Sequence, residues 1–441
     1  MKPNRTGRRS RSAGIALAML LEGFAAVADP KSCDVLVVGG GSAGVVAAIQ
    51  AGRLGAKTIL VEAGAQMGGT TTIGGVNSPI QFSAHGAQRI KGIGWEWIIK
   101  TVQLDDGAMP GSQEHWRINA PLFAIVAEEL LRQAGVEIRY YEAPSSVAPN
   151  PQGPLNWTVT TAAMGETRTI LCKQLIDCTG NGAVCALAGA ERMREPEIMP
   201  GSINYTIKHK IDLAKLDRAA VEKKFAEEVA KGEMLESDAR HGILSSLGYQ
   251  AGNYVYDADN STAEARTDTN LRGRQSVLRM LRFIRSLPGG ETAQLVSLFP
   301  EVGVRETYRV KGECVITVDD YLSGKIWDDA IAYATYQVDM HKNLWKDFDR
   351  RHLAPGIVPT VPFRALIPKG KKNLLVAGRC LSSDRLAMSG LRVQAVCMAT
   401  GQAAGAAAAL SAKGDISPAK VDLAQLKATL TANGAIIPRK P

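Results

Sequence analysis

Gly39-Gly40-Gly41-Ser42-Ala43-Gly44 constrains the fold of this chain more than any other stretch in it. The preceding run, Asp34-Val35-Leu36-Val37-Val38, is short and apolar, as suits a strand buried on both faces. Val45 to Leu54 then has helical character, Gly55 suits a helix end, and Thr58 to Val61 reads as a second strand closing on Glu62. Each part has a physical reason. Gly39 permits a tight strand-to-helix turn, Gly41 lets the backbone approach a diphosphate, and Gly44 lets the helix lie close to the sheet. Ser42 and Ala43 open the helix, whose free N–H groups and dipole favour phosphate. Glu62, 18 residues after Gly44, is placed to accept hydrogen bonds from a ribose. Strand, loop, helix, strand and acid occur in the order that dinucleotide binding requires.

Downstream residues choose between dinucleotides. Gly68-Gly69-Thr70-Thr71-Thr72 and Gly74-Gly75 form a run rich in Gly and Thr, suited to wrapping a cofactor larger than NAD. A second complete glycine fingerprint is missing: Gly180-Asn181-Gly182 follows a strand, but position 185 is Cys. The chain is therefore expected to lack a separate NAD(P)H domain. Its electrons would pass through a small-molecule substrate or an external electron carrier.

These residues, with three further segments, resemble the FAD-dependent oxidoreductases of the glutathione-reductase-like two-domain fold, most closely the branch related to fumarate reductase flavoproteins. Leu175-Ile176-Asp177-Cys178-Thr179-Gly180 resembles the family's second flavin motif, with Thr179 and Gly180 under the adenine-diphosphate part. Val304-Arg305-Glu306-Thr307-Tyr308-Arg309 resembles its Arg-Glu-x-x-Arg stretch. Leu374 to Arg379, then Gly390-Leu391-Arg392 and a helix from about Val393, resemble its flavin-closing segment, which includes Gly378. The departure is Cys178, where the family usually has Ala; both are small. The resemblance implies FAD as cofactor and an α/β fold, with a discontinuous Rossmann-like FAD-binding domain and an inserted α+β substrate or cap domain. No histidine lies between Glu62 and His85, so FAD is expected to be noncovalent. The paired cysteines of disulfide reductases are missing from the loop after Glu62, which excludes that subclass.

The expected organisation is a signal peptide over 1–28, FAD-binding segments over 29–195 and 356–441, and a cap over 196–355. Helices are expected over 120–133, 211–232 and 272–286, the last burying Val277, Leu278, Leu281 and Ile284. Thr158–Thr161 and Thr167–Leu171 read as a meander around Met164-Gly165.

Flavin would carry the redox chemistry, leaving the protein to hold substrate, handle a proton and steady negative charge. Arginine suits the last task, because its planar fork binds carboxylates bidentately. Arg305, Arg309, Arg364, Arg379 and Arg392 lie in or near the resembling segments. Of these, Arg305, Arg309 and Arg379 are the catalytic candidates. Glu306 stands next to Arg305 as an ion-pair partner. His341 is the proton-transfer candidate, since histidine titrates near neutrality. Asp339 is not counted as its partner, on the reading that the two side chains leave the strand on opposite sides. The expected activity is hydride transfer between flavin N5 and a small organic substrate. The alternatives are reduction of an activated C=C bond and a structural FAD without catalysis.

The remaining composition excludes other classes. Seven cysteines fall in no CxxC pair, so no metal site is expected. The formal charge of +9 is inflated by Lys2, Arg5, Arg8, Arg9 and Arg11, and no arginine-rich run follows, which argues against nucleic acid. Those basic residues, the apolar Ala13 to Leu21 and the small Ala26-Val27-Ala28 give the layout of a secretory signal. Export to the periplasm or beyond, with cleavage after Ala28, is expected, and no membrane span would remain. Arg8-Arg9 hints at the twin-arginine route.

Overall fold

The computed structural model describes residues 30–105, 117–151, 153–342 and 348–440. The expected signal segment and its cleavage point lie outside the described residues. β1 (Lys31–Val38), α1 (Ser42–Arg53) and β2 (Thr58–Glu62) are followed by α2 (Ala120–Gln133), β3 (Glu137–Tyr140), β4 (Glu142–Pro149), β5 (Trp157–Ala163) and β6 (Glu166–Asp177). Next come β7 (Gly201–Lys208), α3 (Arg218–Ala230), β8 (Gln250–Val255), α4 (Ala263–Arg285) and β9 (Gln294–Leu298). The chain then forms β10 (Val338–His341), β11 (Phe348–Arg351), β12 (Leu374–Val376), α5 (Arg385–Leu391) and α6 (Gln394–Gly414).

The main sheet runs β3-β2-β1-β6-β5-β4, with β12 also paired to β6. β1 lies parallel between β2 and β6, with Val38 opposite both Val61 and Asp177. β6 is long because it serves two neighbours on one edge. Its end pairs in parallel with β12, and its beginning pairs antiparallel with β5. The turn between β5 and β6 uses Met164 and Gly165, both at positive φ, which matches the hand of a two-residue hairpin.

The adjoining core is set by α1 and α6. A Cβ at Gly401 would stand 2.2 Å from the Ala43 carbonyl oxygen, and one at Gly405 2.2 Å from that of Ala47. Two glycines one turn apart thus let the helix backbones touch. By length and composition α6 could cross a membrane, but 89% of its apolar window is buried in the protein.

A second core gathers Ile203, Tyr205, Val277, Met280, Phe283 and Ile284 around the β8-β7-β9 sheet. Its long helix α4 starts earlier than the sequence pattern suggests. Thr262 caps it, its Oγ1 accepting the Ala265 N–H at 3.1 Å. The buried stripe also differs from expectation: Leu278 is 47% exposed, and Met280 and Phe283 fill the face instead. Past Val304 the apolar residues Ile316, Tyr321, Ile331 and Val338 join the first core.

Candidate active site

The first half of the site is made of backbone. A Cβ at Gly44 would stand 1.7 Å from the Gly39 carbonyl oxygen, and one at Gly39 2.5 Å from that of Cys178. Neither position can carry a side chain without moving main chain. No side chain caps α1 at Gly41, so the N–H groups of its first turn, from Ser42 onward, remain for an anion. Gly41 is bridged to Gly68, and a Cβ at Gly69 would stand 2.9 Å from Gly41 Cα. The Gly-Thr run therefore leans on the turn, and the Gly68 N–H donates to the Gly40 carbonyl at 2.8 Å. The Thr70 carbonyl accepts the Val76 N–H at 3.0 Å, while Thr71 Oγ1 is buried without a partner.

Glu62 closes β2 and ties the loop down. Its Oε2 accepts the Gly40 N–H at 2.6 Å and its Oε1 the Gly64 N–H at 2.7 Å. Each oxygen keeps a lone pair for a hydroxyl. The Thr179-Gly180 turn is held by buried Asp177, which accepts Thr179 Oγ1 at 2.6 Å and the Cys185 N–H at 2.8 Å. Gly378 packs against α1, where its Cβ would stand 3.0 Å from Ala43 Cβ. Arg379 donates to the carbonyls of Gly180 at 2.9 Å and Val304 at 2.6 Å. It has no carboxylate partner among the described residues, and burial lowers its pKa. An open helix N-terminus, an unpartnered threonine hydroxyl, a guanidinium without an acid and a ribose-type carboxylate together fit a dinucleotide with a negatively charged diphosphate.

The second half is made of side chains and begins one residue past Val304. Arg305 donates to the Pro200 carbonyl and to Ser202 Oγ at 3.1 Å, with no carboxylate on it among the described residues. Its guanidinium lies 5.4 Å from the centroid of the Tyr254 ring, and that of Arg240 lies 5.6 Å from the same ring. Tyr254 sits on β8, with Arg240 and His241 in the turn ahead of that strand. Its Oη lies 3.1 Å from His341 Nδ1, and His341 Nε2 lies 2.8 Å from Asp339 Oδ2. Arg350 on β11 donates to Asp339 Oδ1 at 2.9 Å. Arg392, at the end of α5, reaches the Asp339 carbonyl at 3.2 Å, and its Nε is buried with no partner among the described residues. Two guanidiniums, Arg350 and Arg392, thus reach Asp339, and two more, Arg240 and Arg305, lie over the neighbouring Tyr254 ring.

The electrostatics follow. Burial opposes charge on Asp339, yet the His341 hydrogen bond and Arg350 outweigh it and hold the carboxyl well below its usual range. Burial also depresses His341; Asp339 supports its proton, but Arg305 and Arg392 oppose it, and its pKa falls well below the ordinary value. The ring is therefore neutral. The network assigns Nε2–H as donor to Asp339 and Nδ1 as acceptor from the Tyr254 hydroxyl. Burial together with Arg240 and Arg392 pulls Arg305 down to about 9. Partial burial, Arg240 and Arg305 likewise lower His241.

The structure sorts the sequence candidates. His341, Arg305 and Arg392 come together here, and Arg379 joins the dinucleotide half. Arg309 is buried and braces Glu195, both of whose oxygens it reaches at 2.7 Å. Arg364 pairs with Asp329 at 3.0 Å. Glu306 pairs with Arg385 at 2.8 Å rather than with Arg305. Asp339 corrects the sequence reading: residues two apart on a strand share a face, so Asp339 and His341 leave β10 on the same side. Arg240, His241, Tyr254 and Arg350 were not foreseen. An adjacent Arg-His pair ahead of Gly242 was the one local signal. All seven cysteines are free thiols, and burial pushes those of Cys178 and Cys185 well up.

The family model for FAD dependent oxidoreductases matches residues 34–430. No curated protein sequence matches the chain. Among solved structures, it is similar to a geranylgeranyl bacteriochlorophyll reductase-like protein from Thermoplasma acidophilum, at 14% identity and TM-score 0.43, covering 91% of this chain and 83% of that one. It is also similar to the anhydrotetracycline hydroxylase OxyS from Streptomyces rimosus, at 12% identity and TM-score 0.42, covering 91% of this chain and 65% of that one. A flavoprotein/dehydrogenase from Cytophaga hutchinsonii gives 12% identity and TM-score 0.41, covering 91% and 86%. On the family match across nearly the whole described length, the chain belongs to the FAD-dependent oxidoreductases.

Proposed function

We propose that this protein is an enzyme that transfers a hydride between FAD and a small organic anion, in a site formed by Arg240, Arg305, Arg350 and Arg392 beside a Tyr254–His341–Asp339 relay. The carrying observation is the charge imbalance: four guanidiniums and a single carboxylate, with Arg305 resting only on neutral oxygens and Arg392 Nε unpartnered. Leaving cations so placed is costly unless an anion visits them.

FAD, held by the α1 N-terminus, the Gly-Thr run, Glu62 and Arg379, supplies the acceptor or donor of the hydride. The chain's own side chains do the rest. Arg305 and Arg240 flank the Tyr254 ring, so an anion they bind is held against that ring. Tyr254 Oη can take a proton from the substrate as it passes its own to His341 Nδ1, and the reverse path returns it. Asp339 fixes the ring by accepting from Nε2 and remains ionised throughout. With His341 neutral the relay accepts a proton, and with His341 protonated it donates one.

The test is the anaerobic absorption spectrum of the purified protein before and after addition of a panel of hydroxy, enoic and keto acids. Bleaching of the flavin band by an acid, or reoxidation of photoreduced flavin by an unsaturated or keto acid, supports the proposal. A flavin that responds selectively to no member of the panel points to a structural cofactor and overturns it.

A further inference from the structure

We propose that an anion entering the arginine cluster draws one proton from solvent onto His341, so that the site arms its acid only when occupied. This rests on the anion-binding reading above and adds a coupling that the reading does not require.

The geometry around His341 carries it. The ring is buried and fixed at both nitrogens, by Asp339 on its own strand and by Tyr254 on β8. Phe348 on β11 packs edge-on against it at 4.9 Å. The charged and titratable groups facing this region are Arg240, His241 and Tyr254 from the second core's side, Arg305 beyond β9, Tyr336 and Asp339 on and before β10, Arg350 on β11 and Arg392 after α5. Asp339 is shared by His341, Arg350 and Arg392, so it cannot cancel all the positive charge. The residual field opposes a proton on His341. An anion seated on Arg305 and Arg392 supplies the missing negative charge and removes that opposition.

The proton has a defined destination. Nε2 already carries hydrogen toward Asp339, so the new proton goes to Nδ1, which now accepts from Tyr254. Once protonated, Nδ1 becomes a donor to Tyr254 Oη, and the hydrogen bond reverses. The tyrosine hydroxyl hydrogen is then released to point at the bound anion. Binding thus converts the relay from proton acceptor to proton donor, which favours the direction in which the substrate is reduced.

Inorganic sulfate is a suitable probe, because it stays dianionic where histidine titrates. Calorimetric titration of the FAD-loaded full chain, in buffers of different ionisation heat from about pH 5 to about pH 8, measures protons taken up per sulfate bound. Uptake approaching one proton is expected at the acid end, fading as pH rises, with affinity climbing by up to about tenfold per unit fall in pH. His341→Gln should bind sulfate within about threefold of wild type at the alkaline end and take up no proton. His241→Gln should retain the uptake. Sulfate binding without uptake at any pH overturns this coupling alone. So does uptake that survives in His341→Gln or vanishes in His241→Gln. Absence of sulfate binding overturns the anion-site reading and the coupling together. If His341→Gln fails to fold, the wild-type pH profile together with the uptake retained or lost in His241→Gln decides.

Discussion

The two halves of the site are built on opposite principles. The dinucleotide half relies on main chain brought so close that side chains are excluded, and its key positions run almost consecutively from Gly39 to Gly44. The substrate half relies on long charged side chains drawn from positions 240, 254, 305, 339, 341, 350 and 392, with loosely satisfied groups such as Arg392 Nε. A cofactor that never leaves can be gripped by rigid backbone. On the proposed function, a substrate that must come and go meets charges that are incompletely paired within the protein. Rigidity and incomplete pairing are therefore divided between the two ends of one site, meeting at Val304, whose carbonyl holds Arg379 while its neighbour Arg305 opens the cluster.

Substitutions should separate the halves, and the largest effect is expected at the backbone end. Gly44→Val places atoms where the Gly39 carbonyl stands, and should lower the FAD-to-protein ratio by at least about a hundredfold. Absorbance of the purified variant checks this; full flavin occupancy would break the proposed contrast. Next in size is Arg305→Gln, which should weaken sulfate binding by roughly ten- to hundredfold, the worth of a charge-assisted hydrogen bond. FAD content should be unchanged and the melting temperature should fall by no more than about a few degrees, because only two neutral oxygens lose their partner.

A smaller effect concerns pH. His341 binds its proton less readily in the folded protein than in the unfolded chain. Its contribution to stability is therefore complete above about pH 6.5 and is lost as pH falls, at no more than about 1.4 kcal/mol per pH unit. Denaturant titrations from neutral to mildly acidic pH should show this slope, reduced in His341→Gln to the part that His241 contributes. Asp339, also depressed, adds a loss only at much lower pH. The smallest effect belongs to Arg364→Gln. This arginine pairs with Asp329 at a partly exposed position, so sulfate affinity should change by less than about twofold. A larger loss would place Arg364 in the cluster and redraw it.

Legibility in sequence follows the same division. The turn, α1, Glu62 and the Thr179-Gly180 segment could be read because dinucleotide binding fixes small residues at short spacings. The arginine cluster could be read only where it overlapped a family-like segment, at Arg305 and Arg392. Arg240 and Tyr254 reach the site from the second core's side, and apart from the adjacent Arg240-His241 pair nothing in their own neighbourhoods signals it. Arg309 and Arg364 look equivalent to Arg305 in sequence. Only the position of Glu195 and Asp329 reveals that they are braces. The stripe on α4 was misjudged at Leu278 because the helix begins at Ala263 and its buried face is set by the sheet beneath it.

The contact of α6 with α1 has a consequence for biogenesis. The turn that fits a diphosphate is among the first described parts of the chain to be synthesised, but the helix whose Gly401 and Gly405 seat directly on α1 is among the last. A nascent polypeptide halted before α6 leaves one side of α1 bare. Retention of the cofactor should therefore be a late event in the life of each molecule, and the yellow colour of a preparation would report how much of it had finished maturing.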